Sequence, residues 1–335
     1  MTETSSPLLE IKDLYVNFAV YGGDLRVLDG VNFKMYAGER IGLVGETGCG
    51  KTTTMRAVLR VLPTPPARIS EGQVFLEGRD ILKMKEEELS HVRGKSISMV
   101  FQDPTAALNP VFTIGKQMEA VIRNNLLEER KNDSRQVRSV AINALQDVSL
   151  ADAERLLESY PVQLSGGMRQ RICIAMALTT NPQILIADEP GTSLDVTIQD
   201  QILRLLRDLV ENRNMSVILI THTLGVVREL TNRVYVMYAG SIVETANTER
   251  IFQQPLHPYS KGLIATVPRL TGGGIANGIP GHIPNYHNPP TGCRFHPRCT
   301  QVAEICRMQK PPLIEVEQNH SVACFLYSSE QKVNL

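Results

Sequence analysis

The chain has 335 residues, 42% hydrophobic and 21% charged, which is ordinary globular composition with room for about two domains. Lysine plus arginine and aspartate plus glutamate both number 35, so the net charge is zero and the electrostatic footprint of a nucleic-acid binder is absent. No apolar run nears the ~18 residues of a membrane-spanning helix. The N-terminus, Met-Thr-Glu-Thr-Ser-Ser-Pro, lacks a basic and then apolar export signature, so a cytosolic chain is expected, reaching any membrane through partners.

Residues 8–18 alternate well enough for a strand, and Val27 to Lys34 reads as a second one. Phe18 and Tyr21 are aromatics that either stack on a purine or sit half-buried on a strand. Arg40 to Val44 is a short apolar run that reads as a buried strand. It leads into Gly45-Glu46-Thr47-Gly48-Cys49-Gly50-Lys51-Thr52, which fits G-x-x-x-x-G-K-[ST]. Thr53 to Leu62 then reads as a helix closed by Pro63. Strand, glycine-rich turn and helix together make a phosphate-binding loop. Backbone N–H groups at a helix start carry partial positive charge and converge on an anion. Gly45, Gly48 and Gly50 permit the tight turn, Lys51 is a point charge for outer phosphates, and Thr52 offers a hydroxyl for Mg²⁺. Thr47, Cys49 and Thr53 complete the candidate phosphate-binding residues. Cys49 stands at a helix N-terminus beside Lys51, and both favour a reactive thiolate, whereas burial favours a shielded thiol.

Gly72 to Leu82 reads as an edge strand and turn, Met84 to Val92 as a short charged helix, and Ser96 to Gln102 as a β-rich run ending on an amide. Residues 103–181 are mostly helical. Val137, Val140, Ala141, Ala144, Leu145 and Val148 form one apolar stripe, which predicts an amphipathic helix over 134–148. The β-core resumes at Gln183-Ile-Leu-Ile-Ala-Asp188-Glu189, four apolar residues ending on two carboxylates, as in a strand buried on both faces whose tip faces a site. Adjacent strand residues point to opposite sides, so Asp188 and Glu189 are expected to differ in role. A helix follows over about 195–212, then a buried strand, Ser216 to His222, and a final hairpin from Arg233 to Glu244. Strand–helix alternation of this kind predicts a largely parallel α/β sheet.

Residues 268–292 break the composition with Gly272-Gly-Gly274, Pro280, Pro284 and Pro289-Pro290, and the tail beyond shows little periodicity. The reading is a core over 1–267, with a helical subdomain at about 103–181, and a tail over 268–335. Cys293, Cys299, Cys306 and Cys324 crowd the last 45 residues, and in a cytosolic chain such a group suggests metal before disulfide. Four thiolates suit Zn²⁺ or an iron–sulfur cluster. No C-x-x-C pair occurs, and Arg294, Arg298 and Arg307 would offset an anionic thiolate shell, which favours a [4Fe–4S] cluster over zinc. Its role would be to staple a segment with too little core to fold alone.

At Leu164-Ser165-Gly166-Gly167-Met168-Arg169-Gln170 the chain resembles the signature of ATP-binding cassette (ABC) proteins. Further family elements stand in family order: the loop at 45–52, Gln102, Asp188-Glu189, Ser193-Leu194-Asp195 and His222. Val100 to Pro110, Val236 to Gly240, and His257-Pro-Tyr259 with the cysteine tail resemble the branch of dipeptide and oligopeptide importer ATPases. The resemblance implies an α/β phosphate-loop core of largely parallel sheet with an antiparallel β subdomain and a helical subdomain. It implies ATP and Mg²⁺, with Asp188 holding Mg²⁺ through water and Glu189 polarising the attacking water. Gln102 would contact Mg²⁺ and that water, and His222 the γ-phosphate. Ser165, Gly166, Gly167 and Met168 would reach the nucleotide of a homologous ATPase partner in a head-to-tail dimer, with Asp195 shaping the interface. The same resemblance implies two membrane-spanning permease subunits, an extracellular binding protein acting indirectly, no nucleic acid, a place on the cytoplasmic face of the membrane, and a [4Fe–4S] cluster in the Cys-Arg-Phe-His-Pro-Arg-Cys tail. Thr47, Cys49, Gly191, Ser193 and Thr223 depart from the usual family residues, and none of these departures removes a named catalytic group. Two other classes compete with transport: a soluble ABC ATPase of DNA repair or translation, disfavoured by the zero net charge, and an inactive scaffold cassette, disfavoured by intact Lys51, Glu189 and His222.

Overall fold

The structure, a computed structural model, describes residues 6–125, 133–192, 194–266 and 278–328. Ser193 and Gly272–Gly274 therefore lie outside the described residues. Two compact units are present, Met1–Lys83 with Leu219–Leu335, and Met84–Ile218.

The first unit opens with β1 (Leu9–Val20) and β2 (Gly23–Met35), an antiparallel pair. β3 (Arg40–Val44) is almost wholly buried and runs into the phosphate-binding loop and α1 (Lys51–Val58). That helix ends four residues before the expected Leu62, because Arg60 takes a left-handed φ of 51°. β4 (Ala67–Leu76) pairs with β1, and β5 (Arg79–Asp80) pairs with β4. This corrects the edge strand expected at 72–82. The strand begins at Ala67, lies inside the sheet, and leaves the edge to the two residues of β5.

In the second unit α2 (Glu86–His91) precedes β6 (Ile97–Val100). The helical section comprises α3 (Pro104–Ala107), α4 (Ile114–Asn125), α5 (Ser134–Asp147), α6 (Ala153–Leu157) and α7 (Gly166–Leu178). α5 matches the predicted stripe, burying Val137, Ala141, Ala144 and Leu145, and Asp133 caps it by accepting from the N–H groups of Arg135 and Gln136. β7 (Ile184–Asp188) is buried at every residue and pairs in parallel with β6. α8 (Val196–Arg213) ends at Asn214, whose left-handed φ of 47° stops the helix. β8 (Ser216–Ile220), also buried throughout, carries the chain back into the first unit.

There α9 (Leu224–Leu230) leads to β9 (Arg233–Tyr238), which pairs in parallel with β3, and to its antiparallel neighbour β10 (Ser241–Asn247). α10 (Thr248–Gln253) and α11 (Pro258–Ala265) follow. After the irregular stretch 278–292 come α12 (Ile305–Met308), β11 (Ile314–Glu317) and β12 (His320–Val322). These last two strands were not expected. β12 pairs with β10 and β11 with β12, so the tail extends the sheet that carries the loop. Phe295 is 3% exposed and packs on Tyr238 and Tyr259 with ring centroids at 5.1 and 5.5 Å. The tail thus shares the core of its unit, which also includes Val44, Val236 and Ile251.

One polar cluster ties β10 to the tail. Glu244, fully buried, accepts from the backbone of Leu256 at 2.7 Å and His257 at 2.9 Å and bonds His320 Nε2 at 2.8 Å. His257, itself buried, accepts the Tyr259 N–H on Nδ1 at 3.0 Å, capping α11. Burial is the main reason that its pKa is lowered to about 4; Lys261 adds to the effect and Glu244 opposes it. In the unfolded chain the imidazole titrates near about 6.5. Between these values the unfolded state binds a proton that the folded state refuses, so this contribution is complete above pH ~6.5 and is lost as pH falls toward 4. We therefore expect the urea midpoint to drop between pH ~7.5 and ~5, and to drop less in His257→Gln. Equal drops in the two proteins would rule out His257 as the source.

Candidate active site

The loop is packed closely at Gly45 and Gly50, where a side chain would not fit. A Cβ on Gly45 would lie 2.1 Å from the Met237 carbonyl oxygen of β9 and 2.8 Å from Cys49 Sγ. Gly45 takes a φ of 150°, Gly48 83° and Gly50 107°, and Gly50 is the N-cap of α1. Lys51 is buried and its Nζ donates to the carbonyls of Gly45 at 2.8 Å and Glu46 at 3.0 Å. Thr54 Oγ1 donates to Gly50 O at 2.9 Å, which ties the first turn to the loop. Thr52 and Thr53 are half-buried at the start of the helix, while Thr47 and Gly48 are exposed.

Cys49 corrects one expectation. Its side chain is fully buried, with Sγ 3.7 Å from Lys51 Nζ. Burial outweighs the lysine and pushes the thiol pKa up, so the reactive thiolate is not formed. Phe18 is half-buried on β1, opposite Leu25 of β2 and Ala67 of β4, and Tyr21 is fully exposed at the turn between β1 and β2.

Three aromatic and cationic groups from the C-terminal part of the chain meet this loop, and the motif reading missed them. The Tyr259 hydroxyl accepts the Glu46 N–H at 2.8 Å. The Tyr286 hydroxyl donates to Gly48 O at 2.7 Å. Arg298 grips the Glu46 carboxylate at two points, 2.8 and 3.0 Å. Tyr259 stood inside a quoted motif without a role, and Tyr286 lay in a stretch read as linker, so neither gave a local signal.

The second unit holds most of the remaining candidates. Asp188 ends β7 fully buried. Glu189 is 9% exposed and has a left-handed φ of 47°, so the chain has already left the strand. The expected strand alternation of the two carboxylates therefore does not apply; the turn itself separates them. Gln102 lies past the end of β6 and its Nε2 donates to Glu189 Oε2 at 3.2 Å. Ser165 caps α7, its Oγ accepting the Met168 N–H at 3.3 Å. Gly166 and Gly167 open that helix where a Cβ would meet Leu194 Cδ2 at 3.0 Å and Ile198 Cγ2 at 2.8 Å. Asp195 caps α8 through the Ile198 N–H at 3.0 Å. His222 belongs to the first unit and is exposed between β8 and α9.

The four tail cysteines are half-buried, and none of the six cysteines is in a disulfide. Burial first, and then Cys306 and Cys299, hold Cys293 at about 11; burial and then all three others hold Cys324 at about 11. The Gln301 N–H points at Cys299 Sγ at 3.4 Å. The donor type fits a metal or cluster, but among the described residues no group of three or more His, Cys, Asp or Glu side chains is gathered so as to hold a metal ion. Two of the three arginines expected beside the thiols have other partners. Arg298 is committed to Glu46, and Arg294 to Asp29 at 3.6 Å and to the Ala239 and Arg26 carbonyls at 2.6 and 3.1 Å.

A backbone anion loop capped onto a helix, with buried carboxylates closing a parallel strand, is the equipment of a phosphate-loop nucleoside triphosphatase. The chain matches the ABC transporter family over residues 28–192 and the oligopeptide/dipeptide transporter C-terminal region over residues 243–306. It is 44% identical over 321 residues to the oligopeptide transport ATP-binding protein OppD of Bacillus subtilis (strain 168), spanning 95% of this chain and 88% of that one. It is 43% identical over 321 residues to the dipeptide transport ATP-binding protein DppD of the same organism, spanning 95% and 94%. A solved dimer of the ATP-binding cassette MJ0796 bound to ADP and Pi is similar with a TM-score of 0.63 and 26% identity, over 72% of this chain and 98% of that one. The chain belongs to the ABC transporter family. It is an ATP-binding subunit whose hydrolysis of ATP is coupled to transport. Among the described residues no helix is long and apolar enough to cross a membrane.

The buried thiols give a direct check. Cys49 is driven up by burial and Cys173 to about 12, so both are expected to resist iodoacetamide at neutral pH in the folded protein and to label once urea is added. Rapid native labelling of Cys49 would contradict its burial.

Proposed function

We propose that the chain energises import of di- or oligopeptides through two membrane-spanning permease subunits, seated on the cytoplasmic face of the membrane and paired head to tail with a second, homologous ABC ATPase. The observation that carries this reading is the joining, in one chain, of a rigid phosphate loop to a C-terminal region of the oligopeptide/dipeptide transporter kind. An extracellular binding protein would deliver the cargo. The cassette would span residues 1–267 and the tail 268–335.

Each residue has a chemical task in this reading. The N–H groups from Gly45 to Thr53 and the Lys51 ammonium hold the β- and γ-phosphates. Phe18 lies on the purine. Thr52 and Gln102, with Asp188 acting through water, would hold Mg²⁺, which would neutralise charge on the phosphates. Glu189 accepts a proton from the attacking water, and the 3.2 Å bond from Gln102 orients its carboxylate. His222 contacts the γ-phosphate. Ser165, Gly166, Gly167 and Met168 present a second helix start to the partner's nucleotide, and Asp195 steadies that surface by capping α8.

Glu189→Gln keeps shape and hydrogen bonding and removes the base. We expect MgATP binding to persist while turnover falls by at least ~10²-fold. Lys51→Ala should instead weaken binding itself. Near-normal turnover of Glu189→Gln in reconstituted transporter would remove Glu189 from this role.

Cys293, Cys299, Cys306 and Cys324 are proposed ligands of a [4Fe–4S] cluster, with zinc as the alternative. The four half-buried tail cysteines, none in a disulfide, and an N–H aimed at Cys299 Sγ support it. Anaerobically purified protein is expected to be brown, with about four irons per chain, and to bleach on Cys→Ser at any of the four. A colourless preparation with one zinc per chain would replace the cluster by zinc.

A further inference from the structure

The phosphate loop is held from outside by the C-terminal segment, at a charged residue no motif explains. Glu46 follows Gly45 and puts a carboxylate on a loop that binds anions. Its charge is met by Arg298, whose side chain is 6% exposed and which makes a two-point contact on both Glu46 oxygens. Arg298 is anchored in turn: its Nε donates to Pro280 O at 2.9 Å, its Nη2 to Ile279 O at 3.1 Å, and its guanidinium lies 5.7 Å from the Tyr238 ring centroid. Tyr286 holds the Gly48 carbonyl, and Gly240 N–H holds the Cys49 carbonyl at 2.8 Å. With loop carbonyls tied down in this way, the orientation of the loop N–H groups is set before an anion arrives.

We propose that Arg298 and Tyr286 are positioning residues of the phosphate loop, Arg298 by pinning and neutralising Glu46 and Tyr286 by fixing the Gly48 carbonyl, so that nucleotide affinity is set partly by the C-terminal segment. The proposal rests on the reading of residues 45–52 as the nucleotide loop. Two effects act together. An unpaired Glu46 carboxylate repels the polyphosphate, and an unpinned loop must be ordered when nucleotide binds. Arg298 also lies between Cys293 and Cys299, adjacent to the latter, so a change at the cysteine site has a short path to the loop.

The test is MgADP titration by calorimetry on the full-length chain, with the thermal midpoint of each nucleotide-free variant measured beside it. Arg298→Gln and Tyr286→Phe are each expected to weaken MgADP binding by about five-fold or more, the lower end of measured site-to-site couplings. Removing the Glu46 charge removes the repulsion, so in a Glu46→Gln background Arg298→Gln should cost little further affinity. A purely structural Arg298 would lower the thermal midpoint and leave the affinity of the folded protein unchanged. If Arg298→Gln does not fold, Arg298→Lys, which keeps the charge and loses the fork, together with Tyr286→Phe decides the matter. Unchanged affinity in the folded variants, or additive losses in the Glu46/Arg298 cycle, overturns the proposal. Lys51→Ala separates the two readings. Wild-type affinity in that variant removes the nucleotide loop itself, whereas lost affinity there with none lost in Arg298→Gln or Tyr286→Phe removes only the clamp.

Discussion

The approach of Gly45 to the Met237 carbonyl is the constraint from which the site follows. β3 and β9 run parallel with Val44 opposite Val236, so the chain leaving β3 must turn directly past β9. Only a residue without Cβ can do so where the gap would be 2.1 Å. Once past it, the loop closes on α1 and offers backbone N–H groups, whose hold on an anion depends on their staying in place. Rigidity therefore has to come from neighbours, and β9 and the turn after it supply part of it. Ala239 and Gly240 both have left-handed φ, 43° and 84°, which directs the Gly240 N–H to the Cys49 carbonyl.

The candidate carboxylates follow a related rule in the other unit. β7 is buried at all five residues, so its polar end is the first place a charged group can stand. Asp188 takes the last strand position and Glu189 the first position beyond it. The left-handed turn at Glu189 is backbone strain of the kind stored at functional positions, and the Gln102 contact fixes where its carboxylate points.

What could be read from the chain depended on whether the physics was local. The strand–loop–helix around Lys51, the stripe of α5 and the apolar runs of β7 and β8 all came from short-range pattern, and all appear in the structure. β11 and β12 escaped because two strands of four and three residues carry no alternation to detect, and β12 joins the sheet through the distant β10, with Val322 opposite Glu244. Arg298 was visible as a residue, but its partner Glu46 is 252 positions distant, so proximity in sequence gave no sign of that pairing. The Cys49 thiolate failed for a similar reason. Helix start and lysine are local and legible, whereas burial is not.

The same distinction changes what the tail needs in order to fold. Judged alone, some forty-five residues with four cysteines and no periodicity require a staple. In the structure the segment draws on its unit instead. Phe295 enters a ring cluster with Tyr238 and Tyr259, a burial worth roughly 1.5–3 kcal/mol for such a side chain. β12 takes up hydrogen bonds on β10, and the buried Arg294 answers the Ala239 carbonyl. Each of these contacts lands on the β9–β10 hairpin or its flank, and that hairpin also braces the phosphate loop. Loosening the tail would therefore loosen the hairpin, and with it the groups that order the loop. A cysteine site that stabilised the tail would act on the nucleotide loop through those contacts, without any residue of its own reaching the phosphates.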